Sequence, residues 1–193
     1  MKYSIPAVIF AGGKSSRMGS DKALLPFDGY ATLAEYQYRR LQKYFHQVYL
    51  SAKKQKFPFD APLILDTYTV SSPLVGIVSL FETLDTEAVF ILSVDAPFVD
   101  TTVIGKLMQL QHEHYDAVIA KTAKGLQPLC GIYRRTILPA AYTALQENNH
   151  RLGKLLHGVT SQTVHFEEEK LFSNLNCPDE YENAYKRTLQ LVP

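Results

Sequence analysis

Ile5-Pro6-Ala7-Val8-Ile9-Phe10-Ala11-Gly12-Gly13-Lys14-Ser15-Ser16-Arg17-Met18-Gly19-Ser20-Asp21-Lys22-Ala23-Leu24-Leu25 is the stretch that decides the fold. An apolar run ends in two glycines, small polar and basic residues follow, and the chain turns apolar again at Ala23. The run Ile5–Phe10 reads as a buried first strand. Gly12 and Gly13 lack the Cβ that would hold a ligand away from the backbone. Amide N–H groups freed in such a loop form a concavity suited to phosphate oxygens. Lys14, Arg17 and Lys22 place three cations on the same segment. A guanidinium forks onto phosphate, and an ammonium serves as a mobile point charge. The segment therefore reads as a polyphosphate-binding loop after a first β-strand.

Two other phosphate motifs are excluded. Gly13-Lys14-Ser15 ends like G-x-x-x-x-G-K-[ST], but Val8 stands where that motif needs its first glycine. The dinucleotide fingerprint G-x-G-x-x-G also fails on this stretch. At 193 residues the chain has the length of one domain with a substantial core. Its formal net charge of +1 offers no global basic field for nucleic acid or an acidic membrane surface. An anionic substrate must then be held by local groups. Cys130 and Cys177 are too few for a zinc site or a disulfide framework, so a reducing cytoplasm is expected. No signal-peptide pattern opens the chain, and no apolar run has the length of a membrane span.

Downstream, strands and helices alternate. Pro26-Phe27-Asp28-Gly29 reads as a turn. Thr32 can cap a helix reaching Phe45, with Glu35 completing a capping box and Arg39, Arg40 and Lys43 on its solvated face. Val48–Ser51 and Pro62–Leu65 read as the second and third strands, and Lys53-Lys54-Gln55-Lys56 as a solvated loop. Pro73 opens a helix to about Leu84. Ala88–Ser93 is a fourth strand running into Val94-Asp95-Ala96-Pro97-Phe98. A carboxylate at the end of a buried strand is costly unless it caps, is paired or binds metal. A helix from Thr101 to about Glu113 follows, with His112-Glu113-His114 as solvated residues at its end. Tyr115–Lys121 and Leu126–Arg134 read as an antiparallel hairpin around Gly125. Helices at Ile137–Leu145 and Arg151–His157, a strand at Thr163–Phe166 and a helix from Tyr181 to about Leu191 complete the chain. Glu167-Glu168-Glu169 reads as surface charge, and Cys130 as core packing. This alternation predicts a three-layer α/β/α, Rossmann-like domain over residues 1–193 with a mostly parallel sheet, an antiparallel hairpin, and a site at the carboxyl ends of the first strands.

Phe10-Ala-Gly-Gly-Lys-Ser-Ser-Arg-Met-Gly-Ser-Asp-Lys22 resembles the nucleotidyltransferase signature L-A-G-G-x-S-x-R-M-G-x-D-K. Its R-M-G-x-D-K ending is most similar to the molybdenum cofactor guanylyltransferases (MobA-type). Phe10 replaces the family's leucine. Ser72-Pro73-Leu74-Val75-Gly76 after Asp66 matches a family segment that recognises guanine. Asp95-Ala96-Pro97-Phe98 resembles the family's D-x-P-F/Y, whose aspartate holds Mg²⁺ and contacts the phosphates. Gln127-Pro128-Leu129 matches a Q-P-L on the side that receives molybdopterin. Arg151-Leu-Gly-Lys154-Leu-Leu resembles the helix beside the second substrate, and Asn174-Leu-Asn176 a family N-x-N, with Cys177 in the place of threonine.

The resemblance implies a nucleotidyltransferase that joins GMP from GTP to the phosphate of molybdenum-molybdopterin, with pyrophosphate released and Mg²⁺ as cofactor. It implies Arg17, Lys22 and Asp95 as catalytic residues and Asp95 as metal ligand. Nucleotide contacts are expected from Phe10, Ala11, Gly12, Gly13, Lys22, Ser51, Asp66, Gly76 and Asp95. Acceptor contacts are expected from Gln127, Pro128, Arg151, Lys154, Asn174 and Asn176. Proteins that supply molybdopterin or mature molybdoenzymes are the implied protein partners. The alternatives are a cytidylyl or sugar/polyol-phosphate nucleotidyltransferase, and a non-catalytic molybdopterin carrier. Ser51 stands where some relatives carry an asparagine near the nucleotide, which leaves the base open.

Overall fold

The computed structural model describes residues 2–13 and 19–189, excepting the side chains of 187–189. Four buried apolar residues, Ala7–Phe10, form β1. Strands β2 (Val48–Ala52), β3 (Leu63–Leu65) and β4 (Ala88–Ser93) run parallel to it, β2 and β4 directly beside it. β5 (Ala117–Thr122) and β6 (Gly125–Arg134) form the antiparallel hairpin, and β7 (Ser161–His165) pairs parallel with β5. Among the described residues the strands make one sheet of order β3-β2-β1-β4-β6-β5-β7, in which β6 alone runs against the rest. The chain winds outward from β1 to β3 and then returns to the other side of β1 as β4. That reversal is the topological switch point at which open α/β sheets bind ligands.

Alternation along the central strands feeds two cores. Ala7, Ile9, Phe90 and Leu92 point to one face, where they meet α1 (Leu33–Leu41) and α3 (Thr101–Gln109). Val8, Phe10, Val89 and Ile91 point to the other, under α2 (Pro73–Thr83), α4 (Leu138–Gln146) and α5 (Leu152–His157). The last helix, α6 (Pro178–Leu189), sets Ala184 into the first core. A two-sided sheet of this kind needs near-continuous apolar strands, as the sequence has.

Local chemistry sets the element ends. Thr32, Ser72 and Asp100 each cap a helix by accepting a backbone N–H three residues on. Asp28 and Gly29 both adopt positive φ, at 48° and 78°, in the two-residue turn that joins Phe27 to Tyr30. Three sequence expectations are corrected. α1 stops at Leu41 rather than Phe45: Phe45 is fully buried after a short turn and bridges to Tyr3. α3 stops at Gln109, so His112-Glu113-His114 follows the helix instead of ending it. Arg40 does not lie on a solvated face. It donates to Val99 O and to Gln37 Oε1, each at 2.5 Å, and Gln37 Nε2 donates to Val94 O at 3.1 Å. Helix α1 thereby grips both ends of the loop that carries Asp95.

Candidate active site

In register, Phe10 pairs with Ser51 on one side and Ser93 on the other. Phe10 and Ser93, the last residues of β1 and β4, thus form one row with Ser51, one residue before the end of β2, at the carboxyl edge of the sheet. Beyond them opens a cavity of about 220 Å³, lined by Phe10, Gly12, Gly13, Ser51, Asp66 and Gly76 among others. Six of the expected nucleotide contacts therefore come together. Ala11 is buried beneath them, its N–H donating to Ser51 O at 2.9 Å. A Cβ on Gly13 would meet no protein atom within 4 Å, so the space this glycine leaves open belongs to the cavity. Gly76 has a different reason: a Cβ there would lie 2.7 Å from the Phe10 ring. Burial raises the pKa of Asp66, and nearby Lys53 opposes the shift.

Asp95 stands beside this cavity at the switch point, 7% exposed. Ser93 Oγ donates to its Oδ1 at 2.5 Å, and Lys22 Nζ donates to its Oδ2. Lys22 also donates to Asn176 Oδ1 at 3.3 Å. The backbone adds a further link, from Leu175 N–H to Asp95 O at 2.9 Å. Segments far apart in sequence are thus fastened around one residue. Glu180 accepts the N–H groups of Asn176 and Cys177, at 2.7 and 3.1 Å, which fixes the Asn174–Asn176 segment at the start of α6. Those N–H bonds hold the Glu180 carboxyl below its usual pKa range.

A second cavity, of about 190 Å³, shares Ser93 and Leu129 with the first and adds Asp95, Gln127, Pro128 and Asn174. A third, of about 400 Å³, shares Gln127, Phe172 and Asn174 with the second and reaches Asn176. The three adjoin one another in a row, and Asp95 lines the middle one. A bulge in β6, over Pro128–Cys130 and directly after Gln127, borders it. Ile119 pairs with Gly131, yet the next residue, Ala120, pairs with Gln127. Three residues of β6 are therefore looped out of the β5 ladder, and proline is tolerated there. Tyr133 Oη supports the loop by donating to Pro128 O at 2.6 Å. Gly131 makes the crossing possible, since a Cβ on it would sit 2.5 Å from Val118 O. Cys130 is buried core packing, its thiol pushed up to about 12 by desolvation.

Some expected residues fall elsewhere. Arg17 lies outside the described residues, as does Lys14. Arg151 and Lys154 are exposed and line none of the three cavities. His150, just before α5, has its Nδ1 2.9 Å from Ser72 Oγ, while Leu152, Leu155 and Leu156 of α5 share a core with Leu126 and Leu129 of β6. One inward-facing residue escaped the sequence reading. Lys56, taken there as part of a solvated loop, donates to Ala11 O at 2.8 Å and to Asp21 Oδ2 at 2.5 Å. Only the apolar neighbour Phe57 could have hinted at it.

Residues 7–164 match the model of the MobA-like NTP transferase domain. The chain belongs to the MobA-like NTP transferase family. A molybdenum cofactor guanylyltransferase of Campylobacter jejuni is 37% identical over 177 residues, covering 91% of this chain and 92% of its own. One from Helicobacter pylori is 38% identical over 187 residues, covering 94% and 92%. The fold is shared with molybdopterin-guanine dinucleotide biosynthesis protein A from Archaeoglobus fulgidus, at a TM-score of 0.84 and 18% identity over 97% of this chain and 100% of that one. Within the MobA-like family this chain is thus a nucleotidyltransferase, and Gly12, Gly13 and Asp95 lie at the carboxyl edge of its sheet.

Proposed function

We propose that this protein transfers GMP from GTP to the phosphate of molybdenum-molybdopterin, giving the guanine dinucleotide cofactor and pyrophosphate. The observation that carries the reading is the place of the Lys22–Asp95 pair, between the Gly12–Gly13 cavity and the Gln127–Asn174 cavity. Two anions must meet there. An oxygen of the acceptor phosphate attacks the α-phosphorus of GTP, the bond from that phosphorus to the bridging oxygen breaks, and pyrophosphate leaves with the electron pair. The acceptor is already ionised, so no strong general base is required. The work is positioning and charge compensation.

In this reading Gly12, Gly13, Ser51, Asp66 and Gly76 line the guanosine and phosphate side, with Phe10 as its floor. Lys22 compensates phosphate charge, and Arg17, on the same segment, does so with it. Gln127 offers the amide donors and acceptor that a pterin edge requires, and Pro128, Asn174 and Asn176 complete that side. Arg151 and Lys154, exposed and outside the three cavities, are kept in this reading as contacts to the acceptor phosphate. Asp95 would hold Mg²⁺, with Asn174 and Asn176 as nearby oxygen donors. The site fits such an ion: a cation already rests on the buried carboxylate in the form of the Lys22 ammonium. Among the described residues no cluster of three or more His, Cys, Asp or Glu side chains is assembled. A hard ion that keeps water and phosphate oxygens as ligands suits that sparse set. When bound, Mg²⁺ offsets charge on the phosphates. The reading takes residues 1–193 as one nucleotidyltransferase domain. It places the reaction in the cytoplasm, where Cys130 and Cys177 stay reduced. No helix among the described residues is long and apolar enough to cross a membrane.

Thermal unfolding with Mg²⁺ and each nucleoside triphosphate in turn tests the base. A ligand that binds the native state raises the melting temperature by mass action. At about 100 times Kd the gain is about 2.7 kcal/mol. GTP is expected to give the largest shift. A shift with CTP alone would transfer the reading to cytidylyl transfer.

A further inference from the structure

Lys56 lies outside the glycine segment, 35 residues beyond Asp21, yet it holds both flanks of that segment. Its first acceptor, Ala11 O, is the carbonyl that follows β1. Its second, Asp21 Oδ2, belongs to the residue immediately before Lys22. The other oxygen of that carboxylate, Oδ1, accepts Ala23 N–H at 3.1 Å and caps the single turn Lys22–Leu24. A line of contacts thus runs from Lys56 through Asp21 to the backbone that carries Lys22. The Lys56 side chain is only 13% exposed, and its ammonium lies 5.5 Å from the centre of the Phe57 ring. A desolvated ammonium with two oxygen acceptors and an aromatic neighbour is fixed in place, unlike a lysine on a solvated face.

We propose that Lys56 is a positioning residue for the nucleotide site: it draws the two ends of the glycine segment together and sets the direction from which Lys22 reaches Asp95. The proposal rests on the nucleotidyl-transfer reading for its kinetic consequence alone. Lys56 acts through Ala11 and Asp21 rather than on the substrate. Its loss therefore misplaces Lys22 instead of removing a phosphate contact, and small misplacements of a catalytic group are expensive in rate.

The test compares wild type, Lys56→Met, Lys56→Arg, Lys22→Met and the double variant Lys22→Met/Lys56→Met. Lys56→Met keeps an unbranched stem and removes the charge and the donors. It is expected to lower kcat/KM for GTP by about tenfold or more while leaving KM for the acceptor unchanged. Lys56→Arg is expected to retain most of the activity, because a guanidinium can also serve two acceptors. The double variant is expected to be no slower than Lys22→Met alone, since the two residues act in series. Wild-type kinetics in Lys56→Met, or fully additive losses in the double variant, would overturn the proposal. Hydrogen exchange at the Ala23 amide, which donates to Asp21 Oδ1, supplies a readout that does not depend on turnover. Exchange about tenfold faster in Lys56→Met than in wild type is expected, as local opening grows when a tether is removed. Exchange at the wild-type rate would overturn the proposal. If wild type itself fails to turn over GTP, the guanylyl reading falls and the exchange rates alone decide on Lys56. If Lys56→Met does not fold, Asp21→Asn removes the same ion pair from the other side and is expected to show the same faster exchange.

Discussion

Asp95→Asn is expected to lower guanylyl transfer by about 10²–10³-fold, the loss typical of removing one preorganised electrostatic group from an active site. The fold should remain intact, because what holds the loop does not depend on the carboxylate charge. Leu175 N–H donates to the backbone carbonyl of Asp95, Gln37 donates to Val94 O, and Arg40 donates to Val99 O. Asparagine has nearly the same shape, and its amide oxygen can still accept from Ser93 or Lys22. What it lacks is the charge that would hold a divalent ion and balance Lys22. The measurement is pyrophosphate release by purified wild type and variant under saturating substrates, beside a thermal unfolding curve of each. A variant with wild-type turnover and wild-type melting would remove Asp95 from the chemistry.

Lys22→Met is expected to damage activity and stability together, with a larger stability loss than Asp95→Asn, whose amide oxygen can still accept from Lys22. In the folded protein the Lys22 and Asp95 side chains are 18% and 9% exposed. Removing the ammonium leaves a carboxylate in a mostly buried position with its cation gone. Breaking a buried pair from one side typically costs about 3–5 kcal/mol, and the residual exposure here puts the expected loss toward the lower end. kcat/KM for GTP should fall by about 10²-fold, as the phosphates lose a compensating charge. The double variant Lys22→Met/Asp95→Asn should recover much of the stability, because no buried charge then stands unbalanced, and should recover none of the activity. Urea unfolding and GTP kinetics on the three variants check both halves. Stability losses that simply add in the double variant would show that the two side chains are not energetically coupled.

The parts legible in the sequence are those that local chemistry determines. The short apolar runs ending at Phe10 and Ser93, each followed by turn-forming residues, read as strands buried on both faces, and they lie at the centre of the sheet. Thr32, Ser72 and Asp100 announce helix starts because capping depends on a few neighbouring residues. The placement of Gly12-Gly13 and Asp95 at the switch point was legible too, since each follows a run that reads as a buried strand. What escaped depends on packing between distant segments. Nothing near Arg40 in sequence says that its guanidinium will turn toward Val99 O, 59 residues on. Lys56 sits in a run of lysines whose other members, Lys53 and Lys54, are exposed, so composition alone assigned all three to solvent. Helix ends misjudged at Leu41 and Gln109 have the same origin. Phe45 is apolar at helical spacing, but a turn and a bridge to Tyr3 bury it as well as another helical turn would. The bulge at Pro128–Cys130 exists only once β5 and β6 have paired, and the close approach of Gly131 to Val118 O beside it is likewise a product of that pairing.

The most direct test of the account is to follow a phosphorus label from the α-position of GTP in the presence of Mg²⁺ and molybdenum-molybdopterin. The account predicts that the label enters a guanine dinucleotide while unlabelled pyrophosphate is released in equal amount. Label that enters the product only from CTP, or bound molybdopterin with no pyrophosphate released from any nucleotide, would contradict it.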